Sequence, residues 1–124
     1  MKRSFAICLV LAAAACSSDA PDPGVDAAPP SGTIMTVTCD GSETMTIEST
    51  GGFRFSPNNA TITVGQSIKF VNGPTHSIVP TGSTPDDGFK VGFGATACLK
   101  FTAAGTFNYR CNPHTLMTGA ITVN

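Results

Sequence analysis

The segment from Cys111 to Met117 carries three side chains that can bind a soft metal ion. It reads Cys-Asn-Pro-His-Thr-Leu-Met, so a thiolate, an imidazole and a thioether follow one another at intervals of three residues. The chain has only one other histidine, His76. Ligation by two histidines, one cysteine and a long axial methionine is typical of electron-transfer copper, because sulfur suits Cu(I) while imidazole also suits Cu(II). We therefore predict one type 1 copper ion bound by His76, Cys111, His114 and Met117.

Each of these residues has a simpler explanation when it is taken alone. A cysteine at the end of a strand and a lone methionine are most often core packing, and a Pro-His pair usually belongs to an ordinary loop. The combination favours the metal site, because both histidines of the chain occupy motif positions and His114 lies between Cys111 and Met117.

Alternation along the preceding segment explains how the sulfur would reach the metal. Phe107, Tyr109 and Cys111 fall on one face of an extended segment at 105–111, and the residues between them fall on the other. Cys111 should therefore point inward. The loop that follows can return His114 to the same point before a final strand at 119–123.

The remaining elements are those of a small β-domain. Short runs of Thr, Val, Ile and Phe are separated by Gly, Pro and Asn, and no segment after position 33 shows sustained helical periodicity. We predict an all-β Greek-key β-sandwich of about seven to eight strands. The predicted strands are 34–39, 44–48, 61–64, 67–72, 76–79, 97–102, 105–111 and 119–123.

Taken together, these segments resemble the cupredoxin family of blue type 1 copper proteins, closest to its amicyanin-like and plastocyanin-like members. The ligand loop has the short spacing of the amicyanin-like members. The similarity extends to Ser56-Pro57, to the strand, glycine turn and strand at 61–72, to the segment around His76, and to the hairpin at 101–111.

This resemblance implies roles for two further residues and for the loop surface. The N–H of Ser77 should donate to the sulfur of Cys111, although Ser replaces the Asn of plastocyanin and azurin and should brace the loops less strongly. Pro113 has no N–H, so a second donor to that sulfur is missing. The ring edge of His114 should be the electron port, within an apolar rim of Pro113, Leu116 and either Pro74 or Pro80.

The N-terminus predicts export. Residues 1–15 combine basic residues with an apolar run too short to span a membrane, as in a secretory signal peptide. Residues 11–17 resemble a bacterial lipobox, with Ala13 where that motif prefers Leu. We predict lipidation of Cys16, with cleavage before an unlipidated Cys16 as the alternative. The Pro/Asp/Ala-rich residues 16–33 predict a disordered tether to a cupredoxin domain at 34–124.

Two cysteines remain after the signal, the lipid site and the copper site are assigned. Cys39 and Cys98 are expected to form a disulfide in an oxidising periplasm, and two free thiols are the alternative. One observation argues against the disulfide. Leu99 and Phe101 are expected to face the core, so the alternation of the strand should point Cys98 outward.

Charge and ligand count restrict the function. Without Lys2 and Arg3, five basic residues oppose eight acidic ones, a net charge of −3, which argues against a nucleic-acid partner. We expect a monomeric carrier of single electrons for a redox protein, in the periplasm and membrane-anchored through the lipid, or else soluble or secreted. The alternatives are a copper storage or delivery protein and a module that has lost its metal. We do not expect an enzyme, because a copper enzyme such as a nitrite reductase would need further histidine ligands and a second domain.

Overall fold

A computed structural model of the chain describes residues 32–49, 51–83 and 85–124, and these form an all-β sandwich. The predicted signal peptide, the lipidation site at Cys16 and nearly all of the tether lie outside the described residues. No helix among the described residues is long and apolar enough to cross a membrane. The eight strands are β1 (Ile34–Val37), β2 (Met45–Ser49), β3 (Asn59–Ile62), β4 (Ser67–Asn72), β5 (Val79–Pro80), β6 (Thr96–Phe101), β7 (Gly105–Arg110) and β8 (Thr118–Val123).

Two four-stranded sheets face each other. One has the order β1-β6-β4-β2 and the other the order β3-β8-β7-β5. The β2–β4 and β3–β8 pairs are parallel, and the other neighbours are antiparallel. This arrangement confirms the predicted Greek-key sandwich.

Alternating side chains of the two sheets fill the space between them. Phe107 and Tyr109 are 4% and 0% exposed, as the inward phase of β7 requires. The ring of Tyr109 lies 4.9 Å from that of Phe55 and 5.1 Å from that of Phe89, measured between centroids. Cys111 follows β7 on the same inward-facing side as Phe107 and Tyr109 and is fully buried. Its sulfur therefore lies at the edge of this aromatic core.

The strands differ from the prediction where turns compete with alternation. β4 has the predicted bounds, but His76 lies outside any strand because its N–H closes a turn on the carbonyl of Gly73 at 3.0 Å. The predicted strand at 76–79 therefore shrinks to β5. Val64, predicted to end a strand, is 48% exposed in a turn, and β3 begins two residues earlier than expected.

The disulfide between Cys39 and Cys98 is present, with their Cα atoms 5.4 Å apart. Leu99 and Phe101 face the core as predicted, so Cys98 lies on the outer face of β6. It is nevertheless fully buried, because Cys39 and the side chain of Glu43 cover it, with a carboxylate oxygen 3.2 Å from its sulfur. The side chain of Cys98 therefore points away from the core, as predicted, and is still shielded from solvent.

A buried carboxylate fastens the start of β1. The side chain of Asp86 is 3% exposed and accepts hydrogen bonds from the N–H and hydroxyl of Thr33 at 2.8 and 3.0 Å and from the N–H of Gly88 at 2.8 Å. Burial alone would raise the pKa of Asp86, but these donors outweigh it and hold the pKa below its ordinary value. The carbonyl of Thr33 also accepts from Thr102, so Thr33 is bonded to the domain on both sides.

Candidate metal centre

Three potential metal donors meet at one end of the sandwich. The sulfur of Cys111 lies 3.8 Å from Nδ1 of His76 and 3.5 Å from Nδ1 of His114. The three ligand atoms all lie within 4.8 Å of one another. Cys111 is unpaired and fully buried, and His76 is 7% exposed, whereas His114 is only partly buried.

A closed loop holds Cys111, His114 and Met117 in their relative positions. The N–H of Cys111 donates to the carbonyl of Met117 and the N–H of Met117 donates to the carbonyl of His114, both at 2.9 Å. The guanidinium of Arg110 donates to the carbonyls of Cys111 and Asn112 at 3.1 and 2.9 Å. Met117 is 2% exposed, so its thioether lies on the protein side of the loop.

A second turn, directly after β4, delivers His76. Gly73 favours this close turn, because a Cβ at this position would lie 3.0 Å from the carbonyl oxygen of Ser49 and 3.3 Å from the ring of His76, and these neighbours would have to shift. The hydroxyl of Ser49 accepts from the N–H of Gly73 and donates to the side chain of Asn72, whose amide bonds to two carbonyls of the 91–95 segment. Buried polar groups thus hold the turn against β2.

The two turns are also joined at the sulfur. The N–H of Ser77 lies 3.5 Å from the sulfur of Cys111, and the hydroxyl of Ser77 accepts from the N–H of Asn112 at 3.3 Å. The expected backbone donor is present, and a serine side chain does connect the two ligand-bearing loops. Pro113 follows without an N–H of its own.

The donor set fits a copper ion. Bonds of roughly 2.0 to 2.3 Å from nitrogen and sulfur to a divalent ion, at angles between tetrahedral and trigonal, separate nitrogen from sulfur by about 3.5 to 3.9 Å. The two measured sulfur–nitrogen separations fall in this range. Two imidazoles, a thiolate and a nearby thioether form the set that copper prefers over harder metals.

Residues 42–124 match the model of a family described as copper binding proteins, plastocyanin/azurin family. The chain belongs to this family. Plastocyanin of Vicia faba is 34% identical in an alignment of 92 positions, which covers 61% of this chain and 93% of the relative. Chloroplastic plastocyanin of Chlamydomonas reinhardtii is 37% identical in an alignment of 76 positions, which covers 52% of each chain. This chain therefore spans about half the length of that relative.

Solved structures of amicyanin have the same fold as this cupredoxin. Amicyanin of Paracoccus versutus superposes with a TM-score of 0.60 at 19% identity, over 74% of this chain and 98% of the other. A reduced amicyanin variant gives a TM-score of 0.60 at 17% identity, over 74% and 99%. The cupredoxin fold and the copper cofactor follow from the family.

One contact of this cupredoxin was missed by the sequence prediction. The ring of Phe53 lies against that of His114, with centroids 4.5 Å apart and planes at 64°, and its centroid is 6.3 Å from that of His76. Phe53 is 72% exposed, so it covers His114 from the solvent side. The only sequence signal was a phenylalanine after Gly51-Gly52, in phase with Phe55, and nothing in it pointed to a histidine 61 positions later.

The predicted apolar rim is present around His114, with changes. Leu116 is 96% exposed and Pro113 is exposed beside it. Pro74 is also exposed, in the turn that carries His76. Pro80 instead lies in β5 opposite Tyr109, one step farther from the ligand loop than Val79. Phe53, which contacts His114, also belongs to this apolar rim.

Proposed function

We propose that this protein carries single electrons between redox partners through a mononuclear type 1 copper site. His76, Cys111, His114 and Met117 would hold the ion. The observation that carries the proposal is the convergence of two imidazoles and one buried, unpaired cysteine sulfur in a chain of the plastocyanin/azurin family.

Bound copper would supply a one-electron couple between Cu(II) and Cu(I). The chain would contribute a constrained donor set, because the loop hydrogen bonds and the Ser77 contacts hold the ligand-bearing turns together. It also excludes water, because Cys111 and Met117 are buried and only His114 approaches the surface. Electrons would therefore pass through the imidazole of His114.

Four protein donors also favour a carrier over an enzyme. Catalytic metal sites retain an open position for water or substrate, whereas this donor set would occupy the coordination positions of the ion. We propose that the protein has no catalytic role and acts with a redox protein as a monomer.

Voltammetry combined with chelator competition separates a carrier from a copper delivery protein. We expect the copper-loaded protein to show a reversible one-electron wave and to release copper to a chelator over hours rather than seconds. Rapid and complete transfer of copper to the chelator, without a reversible wave, would instead support storage or delivery and contradict the proposal.

We further propose export to the periplasm or cell surface, with Cys16 carrying a lipid anchor. The support is the charged and apolar signal at residues 1–15 and the lipobox-like residues before Cys16. Metabolic labelling with a fatty acid should mark the wild-type protein but not Cys16→Ala, which should fractionate as soluble periplasmic protein. An unlabelled wild type would rule out the anchor and leave the copper proposal intact.

A further inference from the structure

The charged groups beside His114 differ in sign from the mature chain as a whole. Arg54 is exposed and follows Phe53, and both residues line a groove that Leu116 also lines. Arg110 is half-buried, with its guanidinium bonded to the carbonyls of Cys111 and Asn112 in the ligand loop. Two guanidinium groups thus lie at the copper end of the sandwich.

Most of the described acidic residues lie toward the opposite end. That end is defined by the pairing of Ser67 with Lys100, whereas β4 runs from Ser67 toward the turn that carries His76. Asp86 binds Thr33 immediately before β1 begins at this far end.

The remaining acids extend this polarity, with one exception. Asp87 pairs with Lys90, and Asp40 and Glu43 precede Thr44, whose N–H donates to Ser67. Glu48 is the exception, because its backbone pairs with Ser56 near the copper end of β2. Its side chain is exposed on the outer face of the strand, whereas the residues on either side of it are buried. Residues 32–124 contain five basic and five acidic residues, so the domain is neutral overall but unevenly charged.

We propose that the rim of Phe53, Leu116, Arg54 and Arg110 docks a redox protein that presents carboxylates around an apolar contact. This inference rests on the proposed electron-carrier function. Phe53 and Leu116 would lose their exposed apolar surface in the complex, which favours association. The guanidinium groups would pair with carboxylates and guide the encounter. A second copy of this chain fits less well, because it would bring like charges together.

Oxidation by small reagents of opposite charge tests the sign of the field at the rim. One electron leaves the reduced protein and converts hexacyanoferrate(III) to hexacyanoferrate(II), or tris(phenanthroline)cobalt(III) to its cobalt(II) form. We expect the rate constant for the anion to fall with rising ionic strength and that for the cation to rise. The net charge of −3 of the mature chain would by itself produce the reverse.

A charge reversal and its matched control localise the effect. Arg54→Glu should lower the anion rate constant several-fold at low ionic strength and change it little at high salt. Lys100→Glu makes the same change in net charge at the far end and should have a much smaller effect. Equal effects of the two variants, or a wild-type rate constant that rises with ionic strength for the anion and falls for the cation, would overturn the inference.

A measurement on the copper-free protein keeps this inference separate from the proposed function. Hexacyanochromate(III) is a redox-inert paramagnetic anion, and it should broaden the NMR signals of Phe53, Arg54 and Leu116 before those near Lys100. If neither oxidant reacted, the electron-carrier proposal would fail while this experiment still tested the rim. Broadening by the probe that is centred elsewhere would refute an anionic partner. Broadening at the rim that depends on protein concentration without the probe would refute it in favour of a second copy of this chain.

Discussion

Among the three converging donors, His114 has the most contact with solvent. Cys111 and His76 are buried, whereas His114 is half-buried and its exposed side meets the ring of Phe53. An aromatic ring at this distance restricts the motion of the imidazole and limits the approach of small solutes. Phe53 therefore covers part of the exposed side of His114.

Removal of this ring gives a first prediction. Phe53→Ala should accelerate extraction of copper by a chelator several-fold, because His114 could swing outward more often. In the copper-free protein, the ring-proton signals of His114 should also shift as the ring current of Phe53 is lost. Phe93→Ala, which removes another exposed phenylalanine from the 92–95 turn, is the matched control. Equal extraction rates for both variants and the wild type would contradict a covering role.

Pro113 gives a second prediction, which concerns the reduction potential. Its ring removes an N–H that could otherwise donate to the sulfur of Cys111, so Ser77 supplies the described backbone donor. A thiolate with fewer hydrogen bonds donates more strongly and favours Cu(II). Pro113→Ala should therefore raise the reduction potential measured by voltammetry, with Pro80→Ala in β5 as the control. An unchanged or lower potential for Pro113→Ala would refute this explanation.

At the scale of elements, alternation predicted strands well and turns poorly. β4 and β7 were predicted nearly to the residue, because their buried and exposed side chains alternate regularly. The segment around His76 also carries apolar residues at strand spacing, but the turn at Gly73 redirects it. Turn hydrogen bonds depend on polar partners from other segments, such as Ser49, and a sequence pattern does not reveal those partners.

The Asp86 contact with Thr33 is another such pairing, and it yields a third prediction. An amide at position 86 cannot accept from both Gly88 and Thr33, so Asp86→Asn should lower the free energy of unfolding by about 1 to 3 kcal/mol. Urea unfolding at neutral pH would measure this loss. Asp87→Asn, at a side chain that is 86% exposed, should have little effect.

The same contact should respond to pH in a defined direction. Because the folded-state pKa of Asp86 is lowered, its contribution is fully present above the unfolded-state pKa of about 3.9 and is lost as pH falls through the folded-state value. The stability difference between wild type and Asp86→Asn should therefore shrink in acid below that pH. If the stability difference between wild type and Asp86→Asn stayed constant or grew in acid, the ionised carboxylate of Asp86 would not be the stabilising group.

The two ends of the sandwich differ in the residues that they carry. The copper end carries His114, the apolar rim and two arginines, while Thr33 and Asn124 lie at the far end, where Asn124 bonds to Ile62 and Val64. The disulfide between Cys39 and Cys98 ties the segment that follows β1 to the middle of β6.

The sequence predicted the candidate site more completely than its surroundings. Spacing in one loop and the scarcity of histidine sufficed to select His76, Cys111, His114 and Met117, because metal ligands must be of particular types. The cover of His114 by Phe53 was not predictable in this way, since many side chains can pack on a ring and only the fold determines which turn reaches it. Their roles as ligands remain a prediction that copper itself must test.

Titration of the purified copper-free protein with Cu(II), followed in the visible spectrum, tests whether His76, Cys111, His114 and Met117 form a type 1 copper centre. We predict an intense blue band from thiolate-to-copper charge transfer, with an end point of one ion per chain, that bleaches on reduction and returns on reoxidation. Cys111→Ser should lack the band, because a neutral hydroxyl is a hard donor and cannot replace the thiolate. A wild-type protein that bound Cu(II) without the band, or a Cys111→Ser protein that kept it, would contradict the assignment of this centre.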